Sequence, residues 1–174
     1  MTASQPYVMM AINNAWANET LYAALTGLTK ADFTAHRPGF FPSLCATMNH
    51  ILLVDRYYIG ALEGQGRPYQ EIAGPEITDP FALAAAQQIE DARLIAFCRR
   101  LDAGILDETR TTPRKDGVLE ENVAALLLHL FQHQVHHRGQ AHVQLQDAGK
   151  PPPQLDDFHL EFGRVESARA WLER

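Results

Sequence analysis

Residues 119–147, LEENVAALLLHLFQHQVHHRGQAHVQLQD, decide the fold. Val123, Leu126, Leu130 and Ala141 recur on one stripe of a helix turning about 100° per residue. The pattern runs to Asp147 and is stopped by Gly149-Lys150-Pro151-Pro152-Pro153. Glu120 and Glu121 put negative charge where a helix N-terminus favours it, so the longest helix is expected from Leu119 to Asp147. His133 and His137 fall inside the apolar stripe, one turn apart. His129 and His136 project roughly 40 to 100° from its centre, and His142 points to the far side.

Three segments of the same kind precede it. From Pro6 to Gly27, Val8, Ala11, Ala15, Tyr22 and Leu25 repeat at helical spacing, with Pro near the first turn and Gly past the end. Pro42 opens a second apolar segment that reaches Leu62 and closes at Gly64 and Gly66. Asp79-Pro80 reads as an N-cap and a first-turn proline, after which Phe81, Ala85, Ile89, Ala92 and Ala96 carry a third helix toward Leu101. Between Ile105 and Val118 the pattern becomes threonine-rich and ends on Asp116-Gly117, consistent with a short hairpin or an irregular crossover. A short fifth helix is expected from Glu161 to Leu172. The whole predicts an all-α fold in a single domain, 1–174. It is an up-and-down-type four-helix bundle with a crossover segment before the fourth helix and a short C-terminal helix.

A chain of 174 residues buries roughly 70% of its unfolded surface, so it needs no metal or disulfide merely to fold. Fifteen basic against 21 acidic residues leave a net charge of −6, which opposes nucleic-acid binding. Cys45 and Cys98 are too few for a disulfide framework and read as reduced core thiols. The first 16 residues lack the basic start of a secretory signal. No run approaches the ~18 apolar residues of a membrane span. A cytoplasmic protein without membrane or nucleic-acid partners is expected.

Five of the eight histidines lie between positions 129 and 142, and periodicity selects one i, i+4 pair from them, His133 and His137. Two imidazoles so spaced can converge on one cation. They can also be hydrogen-bonded core residues, and spacing alone leaves both readings standing. A metal would need a third ligand from another helix. Gln134 follows His133 where a zinc protease has glutamate, and the chain contains no Glu-x-x-His, glycine-rich phosphate loop or Gly-x-Ser-x-Gly elbow. A mononuclear, histidine-rich site is the chemistry that remains.

The second helix carries Ser43-x3-Thr47-x2-His50-x4-Asp55, the fourth carries His133-x3-His137-Arg138-Gly139-Gln140, and the first carries Asn14-Ala15-Trp16-Ala17-Asn18. In combination these resemble the signatures of the DinB-like proteins, four-helix bundles named for damage-inducible genes, over about residues 7 to 160. The resemblance implies one divalent transition metal, zinc or nickel foremost, held by His50, His133 and His137. It also implies a homodimer, and the two apolar faces of the second helix fit one. Trp16, Asn14, Asn18 and Tyr57 become candidates to line a pocket, with core packing the alternative for Trp16. Arg138, nearly opposite the histidine stripe, reads as an ion-pair or interface residue, and Asp55 as a supporting or solvated carboxylate.

Relatives in the wider superfamily look like thiol S-transferases and isomerases that use low-molecular-weight thiols. The resemblance therefore implies a metal-dependent enzyme, an S-transferase or a hydrolase. Such an enzyme activates a small thiol or water, and its partners are a small-molecule substrate and that thiol. A non-catalytic stress-response metal-binding or interaction module is the other reading; an open coordination position with room beside it separates the two.

Overall fold

The computed structural model describes residues 4–173, so the extreme ends of the expected domain, 1–3 and 174, lie outside the described residues. In chain order the elements are α1 (Gln5–Leu25), α2 (Lys30–Thr34), α3 (Leu44–Leu62), α4 (Tyr69–Ile72), α5 (Pro80–Arg99), α6 (Ala103–Asp107), β1 (Thr109–Arg114), β2 (Gly117–Asn122), α7 (Val123–Asp147) and α8 (Glu166–Leu172). The caps follow the sequence. Pro6 sits in the first turn of α1, Ser43 Oγ accepts from Ala46 N at 3.0 Å, and Asp79 Oδ1 accepts from Phe81 N at 3.0 Å ahead of Pro80.

The four long helices, α1, α3, α5 and α7, form the bundle. α1 packs on α5 and α7, and α3 packs on the same two, which places α1 and α3 across one diagonal. The long connections 26–43 and 100–122 make that order reachable. Among the described residues no helix is long and apolar enough to cross a membrane. Cys45 and Cys98 are buried free thiols.

The threonine-rich segment is a hairpin, and it takes four residues from the expected fourth helix. β1 and β2 pair antiparallel from Thr109↔Asn122 to Arg114↔Gly117, so the helix begins at Val123 instead of Leu119. Glu120 and Glu121 serve the ladder rather than a helix terminus. Thr111 Oγ1 donates to Glu120 Oε1 at 3.1 Å, and Arg114 pairs with Glu121 at 2.7 Å. Gly117 takes φ +141° at the turn, and Asn122 caps α7 by accepting from Ala125 N at 3.1 Å. The last helix also starts later than expected, at Glu166 instead of Glu161.

Two apolar clusters fill the bundle, one around Leu94, Leu126 and Leu130, the other around Leu21, Met48 and Leu145. Beside them lies a ring of buried polar side chains drawn from all four long helices. Asp55 accepts from Gln87 at 2.6 Å and from Gln134, and Gln134 Oε1 accepts from Arg138 at 3.1 Å. Arg138 also donates to Asn14 and Asn18, whose amides donate to Asp91 at 3.2 and 2.9 Å. Gln87 closes the circuit with a longer contact to Asp91, 3.4 Å. Arg138 is thus an interior residue, not an interface one: the side of α7 away from the histidines faces α1, so that helix is covered over more of its circumference than one stripe suggests. Asp55 is likewise buried rather than solvated. Burial raises Asp55 to about 8 and Asp91 to about 6, and lowers Arg138 to about 10.

Candidate metal centre

Where α3 crosses α7, His50 meets His133 and His137. One ring nitrogen from each lies within 4.8 Å of the others, and the three could hold a metal ion. The ring centroids are 4.9 Å apart for His50 and His133, 4.6 Å for His50 and His137, and 4.3 Å for His133 and His137. His50 Nε2 faces His133 Nε2 at 3.0 Å, close enough for both to reach one ion through ~2.1 Å bonds. Burial, reinforced by the neighbouring rings, lowers His50 to about 4 and His133 to about 3. His137 is also lowered, chiefly by burial. All three rings are neutral at neutral pH, with lone pairs free for a cation.

The donor set fits a divalent transition metal by a further test. His133 Nδ1 is buried without a hydrogen-bond partner, so the protein leaves this ring's polar atoms incompletely used. His137 is handled differently. Its Nδ1–H donates to Gln140 Oε1 at 2.8 Å, which fixes the tautomer and turns the lone pair of Nε2 outward; Gln140 Nε2 in turn donates to His136 Nε2 at 3.0 Å. Three imidazoles suit zinc, nickel, copper or iron.

Phe41, from the connection before α3, covers the trio on one side, with its ring 4.5 Å from that of His50 and 5.5 Å from that of His137. Two cavities reach the trio. One, about 250 Å³, is lined by Phe41, Asn49, His50, Arg56, Tyr69 and Ile77 among others. The other, about 340 Å³, is lined by Val54, Tyr57, Tyr58, Tyr69, Arg114, Lys115, His129 and His133 among others. The 63–78 segment supplies Tyr69 to both walls and closes tightly on the hairpin: a Cβ on Gly66 would stand 2.5 Å from the carbonyl oxygen of Thr111.

Of the residues singled out in the sequence, His50, His133 and His137 come together, and Tyr57 lines the cavity beside His133. Trp16 lies elsewhere: it is buried 5.4 Å from the Phe158 ring and donates to Ser167 Oγ at 3.1 Å. Asn14 and Asn18 belong to the polar ring. His129 packs on Tyr58 at 4.9 Å with its ring 6.2 Å from that of His133, and His142 donates to the Pro153 carbonyl at 2.7 Å. Phe41, Tyr58, Tyr69, Arg114, Lys115 and the tethering role of Gln140 were not read from the sequence. Gln140 had a signal, since the i, i+3 spacing from His137 puts the two on one helical face.

Three comparisons with known proteins bear on this arrangement. The sequence profile of the DinB family matches residues 3–168. A curated relative, protein DinB of Bacillus subtilis strain 168, is 22% identical over 162 residues, covering 89% of this chain and 94% of the relative. The crystal structure of a DinB-like protein from Bacillus cereus ATCC 10987 superposes with a TM-score of 0.61 at 18% identity, covering 80% of this chain and 90% of that one.

Proposed function

The chain belongs to the DinB family, and from that premise we propose that it is a metal-dependent enzyme that activates a small thiol, or water, for transfer to an electrophile. The observation that carries this reading is the pair of cavities flanking the histidine trio, one lined by His50 and the other by His133. A transfer reaction needs two small reactants to approach one centre, and the trio is reached from two sides. Among the described residues no further His, Cys, Asp or Glu joins the group, which supports an open position for solvent or substrate.

His50, His133 and His137 would hold a divalent ion, with zinc and nickel the first candidates, and when bound that ion supplies Lewis acidity that lowers the pKa of a thiol or water reaching it. Gln140 keeps the His137 ring turned toward the centre. Phe41 lies over two of the three rings and keeps water from that side. The tyrosines of the larger cavity offer flat apolar walls for a substrate body.

The test is spectroscopic. Protein loaded with cobalt or nickel is titrated with a panel of cellular thiols, and a saturable sulfur-to-metal charge-transfer band that weakens at low pH is expected. If millimolar thiol leaves the spectrum unchanged across the panel, the S-transferase reading fails and a non-catalytic metal-binding role takes its place.

A further inference from the structure

The larger of the two cavities differs in charge from the molecule that contains it. Two cations line it, Arg114 and Lys115, and no carboxylate does, although acidic residues outnumber basic ones 21 to 15 in the chain. Four other cavities each include a carboxylate: Glu76 beside His50, Asp156 beside His142, and Asp91, with Glu19, in the two between α1 and α5. A concave wall carrying charge of one sign focuses potential onto its contents.

The two cations play different parts. Arg114 is fixed: its guanidinium lies 5.4 and 5.5 Å from the centroids of Tyr57 and Tyr58, donates to Tyr58 Oη at 3.1 Å and pairs with Glu121 at 2.7 Å. Its Nε is buried and bonded to nothing in the protein. Lys115, at the hairpin turn, is exposed and lines the same wall, and whereas Glu121 offsets the charge of Arg114, no carboxylate among the described residues pairs with Lys115. Tyr57 is held in place by donating to the Pro113 carbonyl at 2.8 Å, and its ring stands 6.0 Å from that of Tyr69. The cavity thus has aromatic sides, a cationic end at the hairpin and a histidine of the trio in its wall.

We propose that this cavity binds a small anionic molecule with a flat or aromatic body, its acid group toward Arg114 and Lys115 and its reactive end toward His133. The inference rests on the metal-centre reading for what happens at the His133 end. For the charge of the occupant it rests on the cavity alone.

The experiment therefore uses metal-free protein and a matched pair of probes, 4-hydroxyphenylacetate and its neutral amide, followed by amide and tyrosine signals in NMR titrations. The acid is expected to bind about ten-fold more tightly than the amide, with the largest shifts at residues 113–115 and at Tyr57, Tyr58 and Tyr69, an order of magnitude set by two partly solvated cations. Because Lys115 is exposed, Lys115→Glu keeps the fold and should cut the preference to below about three-fold; about 1 M salt, with a screening length of about 3 Å, should do the same. Equal affinity for acid and amide, a preference that Lys115→Glu leaves unmoved, or shifts centred on another cavity would each overturn the proposal. A failed thiol titration would leave this result standing, so the two readings fail separately.

Discussion

His133 and Gln134 are neighbours in sequence, as are His137 and Arg138, yet each pair divides between two clusters that meet back to back across α7. Gln134 and Arg138 turn inward to the ring with Asn14, Asn18, Asp55, Gln87 and Asp91, where nearly every donor has an acceptor. His133 and His137 turn to His50 at the α3–α7 seam, where the protein leaves ring nitrogens facing one another and one Nδ1 unpartnered. The ring is closed by its own hydrogen bonds, with Gln87 Oε1 left over, whereas the trio turns three ligand nitrogens to within 4.8 Å of one another. Both contain polar groups on the same two helices, so polarity alone does not mark a site; metal-ligating atoms converging on one point do. The ring also fixes α7 against α3 through Asp55 and Gln134, which sets the level at which His50 meets its partners.

The sharpest way to break the contrast is to remove one member from each cluster. Alanine at His133 or His137 should abolish binding of about one equivalent of metal while leaving the helical circular dichroism unchanged, because the trio needs all three ligands and the core does not need the ion. Elemental analysis of the purified variants decides it. Arg138→Met should do the reverse, costing about 3 kcal/mol or more in urea unfolding, since the buried amide oxygens of Asn14, Asn18 and Gln134 lose their common donor and Asp91 loses the cation near it. A cost below about 1 kcal/mol would show that the ring does not hold the bundle.

Smaller changes sharpen the distinction. Gln140→Ala frees the His137 ring and should weaken metal affinity by about 10- to 100-fold in chelator competition, with Gln140→Glu restoring the acceptor. Asp55→Asn tests the ring through pH. Burial raises Asp55 from its ordinary 3.8 to about 8, so the folded state binds the extra proton and its stabilising effect is lost as pH climbs from about 4 through 8. The variant should flatten that decline and be the more stable form above pH 8, by on the order of 1 kcal/mol in denaturation measured across pH. Smallest of all, His129→Ala and His142→Ala should leave metal content within error of the parent, because neither ring joins the trio.

The long helices were legible because their ends are written in residues with one local meaning: Pro6, Pro42, Asp79-Pro80 and the Gly149 to Pro153 stop. The His133–His137 pair was legible from periodicity, but His50 came only through the family resemblance, since one histidine on a helix with two apolar faces has no spacing to betray it. Glu120 and Glu121 suit a helix start and a hairpin strand equally, and pairing with β1, a tertiary choice, decided between them. Gln87 and Asp91 were missed for another reason: single polar residues on a helix read as solvated. Their signal was collective, with i, i+4 polar pairs at 14 and 18, 87 and 91, and 134 and 138 interrupting the apolar faces of three helices.

Tyr69 forms part of both cavity walls, and the segment bearing it is fastened to the hairpin where Gly66 meets Thr111. A rotation of that ring that enlarges one cavity takes room from the other. A ligand that turned the ring would couple occupancy of one side to occupancy of the second, and such coupling is reciprocal: whatever factor the first ligand imposes on the affinity of the second, the second imposes on the first. A single phenol ring on a four-residue helix would then let each side register whether the other is filled, with no movement of the bundle at all.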